Sequence, residues 1–336
     1  MPAENYPFCT IDPSVGVVAV PDERVDLLND FSKSAKKIPA AIEFVDIAGL
    51  VKGASAGEGL GNQFLSHIRE TDAIAEVVRI FKDKNITHVS GEVDPLSDME
   101  TINLELILAD LQTVTKRLTS VAHDAKRGDK KAMAENTLLE KVKTCLEAGK
   151  LVSGEIEKYT DEELPLLKSL QLLSAKPILY VLNKKAGAEP ADTTKLLEFF
   201  KQSGANFCYV DARIEQELSD FSGEEKETFR AELGNAGDDG INNLITEGYK
   251  MLDLITFLTT GEDETRAWTI KKGSSAPVAG SAIHTDFTEK FIKAEVIWWK
   301  DLLSAGSYGI AREKGLVRTE GKEYIVKDGD VVEFKI

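Results

Sequence analysis

One stretch, Glu43 to Arg69 (EFVDIAGLVKGASAGEGLGNQFLSHIR), limits what this chain can fold into more than any other. It opens on an apolar run, Ile42–Val45, that reads as a buried strand ending at Asp46. Asp46-Ile47-Ala48-Gly49 then fits D-x-x-G, a pattern in which a strand-end carboxylate reaches a magnesium ion. The glycine lets its backbone N–H approach a terminal phosphate with no Cβ in the way. Gly49, Gly53, Gly57, Gly59 and Gly61 make the next loop costly to order, so a ligand is expected to hold it. By itself D-x-x-G is common, and it fits an ordinary strand followed by a flexible turn just as readily. From Asn62 the pattern turns helical through Phe64, Leu65 and Ile68.

A chain of 336 residues exceeds one ordinary core, so two or three domains are expected. No apolar run approaches the roughly 18 residues of a membrane span. The first ten residues lack a basic region followed by an apolar one, so no secretory signal is read there. Cys9, Cys145 and Cys208 form no metal spacing and read as reduced thiols of a cytoplasmic protein. A net charge of −16 argues against broad attraction to nucleic acid, so any RNA contact needs a local basic patch.

Val15–Val20 and Ile42–Val45 read as strands, with a polar, lysine-containing segment, 29–39, between them. Ala73–Ile80 is the next buried strand, and His88 follows in a loop, where a histidine is most often solvated or hydrogen-bonded. Residues 100–175 are a different object. Leu104, Leu111 and Leu118 repeat at seven, as do Ile107, Val114 and Val121, and after a turn at Gly128 the seam resumes with Leu139, Val142 and Leu146. Two such helices joined by a short turn make an antiparallel hairpin. Its tip carries Lys126, Arg127, Lys130 and Lys131, which suits either a solvated helix end or contact with RNA phosphates. Leu164, Leu167, Leu170 and Leu173 bring a further helix back to the body.

Lys176–Leu182 is again a buried strand, with Asn183-Lys184-Lys185-Ala186 at its C-terminal end, where loops of an open α/β sheet line the ligand crevice. Phe207–Val210 reads as the last body strand, followed by Asp211-Ala212-Arg213. A helix is expected at Ile241–Leu254, and beyond it a small domain with strands Arg266–Ile270, Glu323–Val326 and Val331–Lys335 and a turn at Asp328-Gly329-Asp330.

DIAGLVKGASAGEGLGNQFL closely resembles switch II of the Obg-related translation-factor NTPases, and within them the YchF / Obg-like ATPase family. NYPFCTIDP (Asn5–Pro13), NITHVSG (Asn85–Gly91), RAWTI, IHTDFTEKFIKAE and GKEYIVKDGDVVEF extend the resemblance over almost the whole chain. It implies an α/β P-loop NTPase-type nucleotide-binding domain over 1–99 and 176–255, with an inserted antiparallel helical hairpin at 100–175. Residues 256–336 are similar to the TGS domain, a β-grasp module also found in threonyl-tRNA synthetases. The implied function is ATP (or GTP) binding and hydrolysis with Mg2+, coupled to ribosome or ribosomal RNA binding through the hairpin tip and the TGS domain, in a monomer. The same resemblance assigns Thr10, in the switch I-like piece, and Asp46 to the metal, and Gly49 to the terminal phosphate. Leu50 stands where many GTPases carry a water-orienting Gln, and the resemblance gives that task to His88. Asn183, Lys184 and the backbone of Ala212 are then the base-binding positions.

Two departures from the family pattern matter. A strand, a G-x-x-x-x-G-K-[ST] loop and a helix should precede this segment, and the nearest approach, Gly315 to Gly321-Lys322, has the wrong spacing and ends in Glu323. About thirty residues, one strand–loop–helix unit, are therefore expected ahead of Met1, which would be an internal start or a truncation point. As written, the chain is expected to bind magnesium-ATP with a dissociation constant of about a millimolar or weaker, since the missing groups cradle two phosphates. The second departure is Ala186 in place of the Asp of N-K-x-D or the Glu of YchF-like Asn-x-x-Glu. A carboxylate there accepts from two guanine N–H groups, each such bond contributing about 1.5–3 kcal/mol, so its absence favours ATP over GTP. The alternative reading is a non-hydrolysing ribosome- or RNA-binding family member that has lost its phosphate-binding loop.

Overall fold

Two short runs, Ser14–Ala19 (β1) and Ala41–Asp46 (β3), pair as a two-stranded ladder, and the segment between them holds a helix, Glu23–Ser32 (α1), and a strand, Lys36–Ile38 (β2). The sequence reading treats 29–39 only as a polar connection. The signal for α1 is Asp22, which caps it by accepting from Arg24 N at 3.0 Å, with Val25 and Leu28 buried at helical spacing. The computed structural model describes residues 14–47, 60–86, 88, 91–218, 221, 225, 228–229 and 240–336. It divides into two units, one containing Val45–Leu244 and the other containing Gly16–Phe44 with Ile245–Ile336. Residues 16–44 thus group with the C-terminal segment, whereas the sequence reading places them in the first part of the nucleotide-binding domain.

The first unit is built on three parallel strands, Ile74–Arg79 (β4), Ile178–Asn183 (β6) and Asn206–Val210 (β8), in the order β4-β6-β8. β6 is central and buried along its length up to Asn183, which explains its unbroken apolar run. Helices Leu60–Arg69 (α2), Pro95–Lys126 (α3) and Thr194–Ser203 (α6) cover the sheet, packing Leu65, Ile68, Met99, Leu106, Leu196 and Phe200 against Val78, Tyr180 and Leu182. α3 starts at Asp94, whose side chain accepts from Ser97 N, with Pro95 in the first turn.

A turn containing Gly128 at φ +86° joins α3 to Lys130–Glu147 (α4), and Asp129 caps the second helix. Ile107, Val114 and Val121 are buried against Leu138, Leu139, Val142 and Leu146. The parallel row expected from the heptads is weaker, because Leu104 is 49% exposed while Leu106 and Ala109 turn toward the sheet. A short helix, Glu163–Ser169 (α5), adds Leu167 to the hairpin core. Asp110 links the two cores. Fully buried, it accepts from Leu173 N (3.0 Å), Ser174 N (2.7 Å) and Ser174 Oγ (2.6 Å), with Arg69 Nη2 at 3.7 Å.

The second unit carries a six-stranded sheet in the order β12-β11-β13-β9-β10-β2. Its strands are β2, Leu254–Thr260 (β9), Glu264–Lys271 (β10), Lys293–Trp298 (β11), Arg318–Glu320 (β12) and Asp330–Lys335 (β13). Phe257, Ile270, Phe291, Val296, Val332 and Phe334 form its core. The expected strand at Glu323–Val326 is instead a turn with a single bridge, Ser275 to Ile325, because Tyr324 N donates back to Gly321 O. The helix expected to reach Leu254 ends at Met251 (Gly240–Met251, α8), where Asp253 adopts φ +51°. Gly329 sits at φ +86°, and a Cβ there would lie 2.8 Å from the Trp298 ring, so the expected Asp-Gly-Asp turn requires glycine.

One buried carboxylate has no hydrogen-bond partner among the described residues. Glu76 on β4 is 6% exposed, and neither carboxylate oxygen finds a hydrogen-bond partner among the described residues. Burial pushes its carboxyl from 4.5 up to about 8. Between those values the folded chain keeps a proton that the unfolded chain has lost, so stability falls as pH rises, by at most about 1.4 kcal/mol per pH unit. Glu76→Gln should therefore raise the thermal midpoint more at pH 8 than at pH 5 and flatten the slope between them. Parallel pH profiles of parent and variant would show that Glu76 does not titrate in this window.

Candidate functional site

The parallel ladder brings three strand ends level. Arg79 of β4 pairs with Asn183 of β6, and Asn183 with Val210 of β8. The segments that follow, 80–94, 184–193 and 211 onward, therefore leave one edge of the sheet together, the edge at which open α/β sheets bind ligands.

The loop after β6 is fixed by its neighbour. Lys184 N donates to Val210 O at 2.8 Å, and Asn183 Oδ1 accepts from Ala212 N at 3.2 Å. Asp211 is 3% exposed and spends both oxygens: Oδ2 accepts from Ala186 N at 2.7 Å, and Oδ1 from Ile214 N at 3.1 Å, capping Ala212–Glu217 (α7). Asn183, Lys184, Ala186 and Ala212 are thereby gathered in one place. The N–H of Ala212, assigned by resemblance to a base, donates to the Asn183 side chain instead. Ala186 is exposed and presents only a methyl group.

His88 lies on the segment after β4, at the same sheet edge. Its Nε2 is 2.9 Å from Asp98 Oδ2, in the first turn of α3, and both side chains are largely buried at 16% and 29% exposure. Burial pushes the Asp98 carboxyl above its usual range, against the opposing pull of His88. A cleft of about 930 Å³ adjoins the pair, lined by Arg79, Lys84, Asp94, Asp192 and Lys195 among others. Asp46 ends β3 as an exposed residue, and the next residue, Ile47, packs on the core of the first unit. Thr10 and Gly49 lie outside the described residues.

Sequence reasoning gave no role to Asp98, Asp211, Arg79 or Asp83. Asp211 had a readable signal, an Asp between a strand and a helix start. Asp98 had none, because its pairing with His88 arises from where α3 begins in space.

Comparison with known proteins gives the family. Residues 1–110 match the family model described as "50S ribosome-binding GTPase". Residues 254–336 match that of the YchF GTPase C-terminal region, described as "Protein of unknown function (DUF933)". The "Ribosome-binding ATPase YchF" of Bacillus subtilis is 51% identical, with 98% of this chain and 91% of the relative covered. That of Haemophilus influenzae is 46% identical over 99% of this chain and 92% of its own length. The solved YchF GTPase of Schizosaccharomyces pombe superposes with a TM-score of 0.84 at 36% identity, covering 98% of this chain and 90% of that one. Its α/β fold is thus of the P-loop GTPase type, and the chain belongs to the YchF family.

Proposed function

We propose that this chain binds and hydrolyses a nucleoside triphosphate, ATP in preference to GTP, at the C-terminal edge of β4-β6-β8, and couples this to ribosome binding. The loop after β6 carries the reading. Asn183 and Lys184 flank the base there, with the backbone at Ala212 beside it. At the position where a guanine-reading carboxylate would stand, Ala186 accepts nothing. Asp211 uses both oxygens on Ala186 N and Ile214 N, and Glu189 pairs with Lys82 at 2.9 Å. Guanine's N–H groups would meet no carboxylate at position 186, a loss of about 1.5–3 kcal/mol per bond.

Asp46 and Thr10 serve magnesium and Gly49 the terminal phosphate. An exposed strand-end carboxylate suits an ion of this kind. Magnesium takes few protein ligands and fills its shell with phosphate and water oxygens. When bound, it offsets charge on the phosphate oxygens. His88 orients the attacking water, a task Leu50 has no polar group to perform, and Asp98 sets the direction of the imidazole ring. Residues 100–175 then form the hairpin inserted in the nucleotide-binding domain, and 256–336 a TGS domain, in a cytoplasmic monomer. No helix among the described residues is long and apolar enough to cross a membrane.

His88→Ala should lower single-turnover hydrolysis by about 100- to 10,000-fold relative to the parent, with ATP affinity nearly unchanged. A rate within about twofold of the parent, under roughly 0.5 kcal/mol, removes His88 from the reaction. Ribosome binding without any nucleotide binding would instead establish the non-hydrolysing reading.

The hairpin tip supplies the ribosome contact. Lys126, Arg127, Lys130 and Lys131 are all exposed, and no ion pair among the described residues engages them. Their joint replacement by Ala should weaken ribosome binding and flatten its salt dependence, each lost phosphate contact reducing the slope by about one unit. Hydrolysis without ribosomes should stay at the parent rate. An unchanged salt slope in ribosome sedimentation would make the tip a solvated helix end.

A further inference from the structure

The loops after β4 and β6 are joined by more than a shared edge. Ile80 N donates to Asn183 O at 3.0 Å, and Ala191 N to Ile80 O at 3.0 Å. Phe81–Lys82 (β5) pairs antiparallel with Glu189–Pro190 (β7). Side chains extend the link. Lys185, the third residue of the Asn183–Ala186 loop, donates from Nζ to Asp83 Oδ2 and lies 6.0 Å from the centre of the Phe81 ring. Asp83 Oδ1 accepts from Asn85 N at 2.9 Å. Lys185, with help from that amide, holds the Asp83 carboxyl below its usual range.

Arg79 completes the connection. It ends β4 opposite Asn183, and its guanidinium bonds Phe81 O from Nε (2.9 Å), Asp83 O from Nη2 (3.2 Å) and Ile86 O from Nη1 (3.3 Å). One planar group thus holds three carbonyls of the segment leading to His88, and its rigid fork fixes their relative positions. A displacement at Asp83 is passed to Ile86 through a body with few internal degrees of freedom. Two charged contacts in this network start on the segment after β6, Lys185 to Asp83 and the far more exposed Glu189 to Lys82, and only the first reaches the part of the chain that Arg79 holds.

We propose that the Lys185–Asp83 ion pair is a positioning contact through which occupation of the base loop sets the placement of the His88 loop. This rests on the reading of Asn183–Ala186 as the base loop. A base seated between Asn183 and Lys184 restrains Lys185 by covalent connection, the ammonium restrains Asp83, and Arg79 carries the restraint to Ile86. Residues 81–86 are then held by the binding energy of the base before the phosphate reacts. Such coupling is reciprocal in binding free energy, so both loops must respond to one ligand.

Hydrogen–deuterium exchange on the full-length protein, with and without saturating magnesium-ATP, reads both loops together. In the parent, ATP should slow exchange at residues 183–186 and at 81–86. Lys185→Met and Asp83→Asn should keep the first response and lose the second, a change of about fivefold or more in rate. Lys185→Arg, which preserves the charge, should keep both. Retention of the 81–86 response in both neutralised variants overturns the proposal, as does its loss in Lys185→Arg, which would make packing the cause. If ATP slows neither loop in the parent, the base-loop reading falls and this proposal with it.

Discussion

The parallel register of β4, β6 and β8 is the constraint on which the candidate site depends. Because Arg79, Asn183 and Val210 stand opposite one another, three segments distant in sequence leave the sheet at one level. A register shift of one residue would reverse the faces of all the side chains on the shifted strand. It would send Val78 and Leu182 outward and take Asn183 away from Ala212. The apolar side chains that fix this register, Val78, Tyr180 and Leu182 under α2, α3 and α6, therefore also position the polar groups at the edge.

Two buried carboxylates in the first unit show how differently the same cost can be met. Asp110 accepts three hydrogen bonds and faces Arg69, so its burial yields a junction between α3 and the segment at Leu173–Ser174. Glu76 is nearly as buried, yet neither oxygen is bonded among the described residues, and the proton is its only relief. Desolvation raises both carboxyls, but hydrogen bonds from Leu173 and Ser174 oppose it only at Asp110. At Asp110 the result is directional. Specific N–H groups must meet it, so the hairpin has one favoured angle of departure from the sheet.

Periodicity alone exposed much of this architecture. The apolar runs of β4, β6 and β8, and the seam of Ile107, Val114 and Val121, were legible because burial repeats along a local element. What escaped was set by tertiary partners. β2 is three residues long and is a strand because β10 lies beside it, with Lys36 opposite Glu264. Glu323–Val326 alternates like a strand, but its amides are taken by a turn and by Ser274 O. At the candidate site, residues recognisable by type (Asn183, Lys184, His88) could be named from the sequence, whereas Asp98, Arg79 and Asp83 are brought there by where they point. A sequence carries little warning of that.

Asp211 shows how such a hidden residue limits chemistry. Its carboxylate holds Ala186 N with one oxygen and caps α7 with the other, so the loop after β6 and the start of α7 share one buried charge. A second carboxylate at position 186 would stand beside it. Two carboxylates so close would repel each other. The methyl group of Ala186 avoids that repulsion. With Asp211 in place, the loop after β6 keeps its shape through a buried carboxylate that it shares with the start of α7.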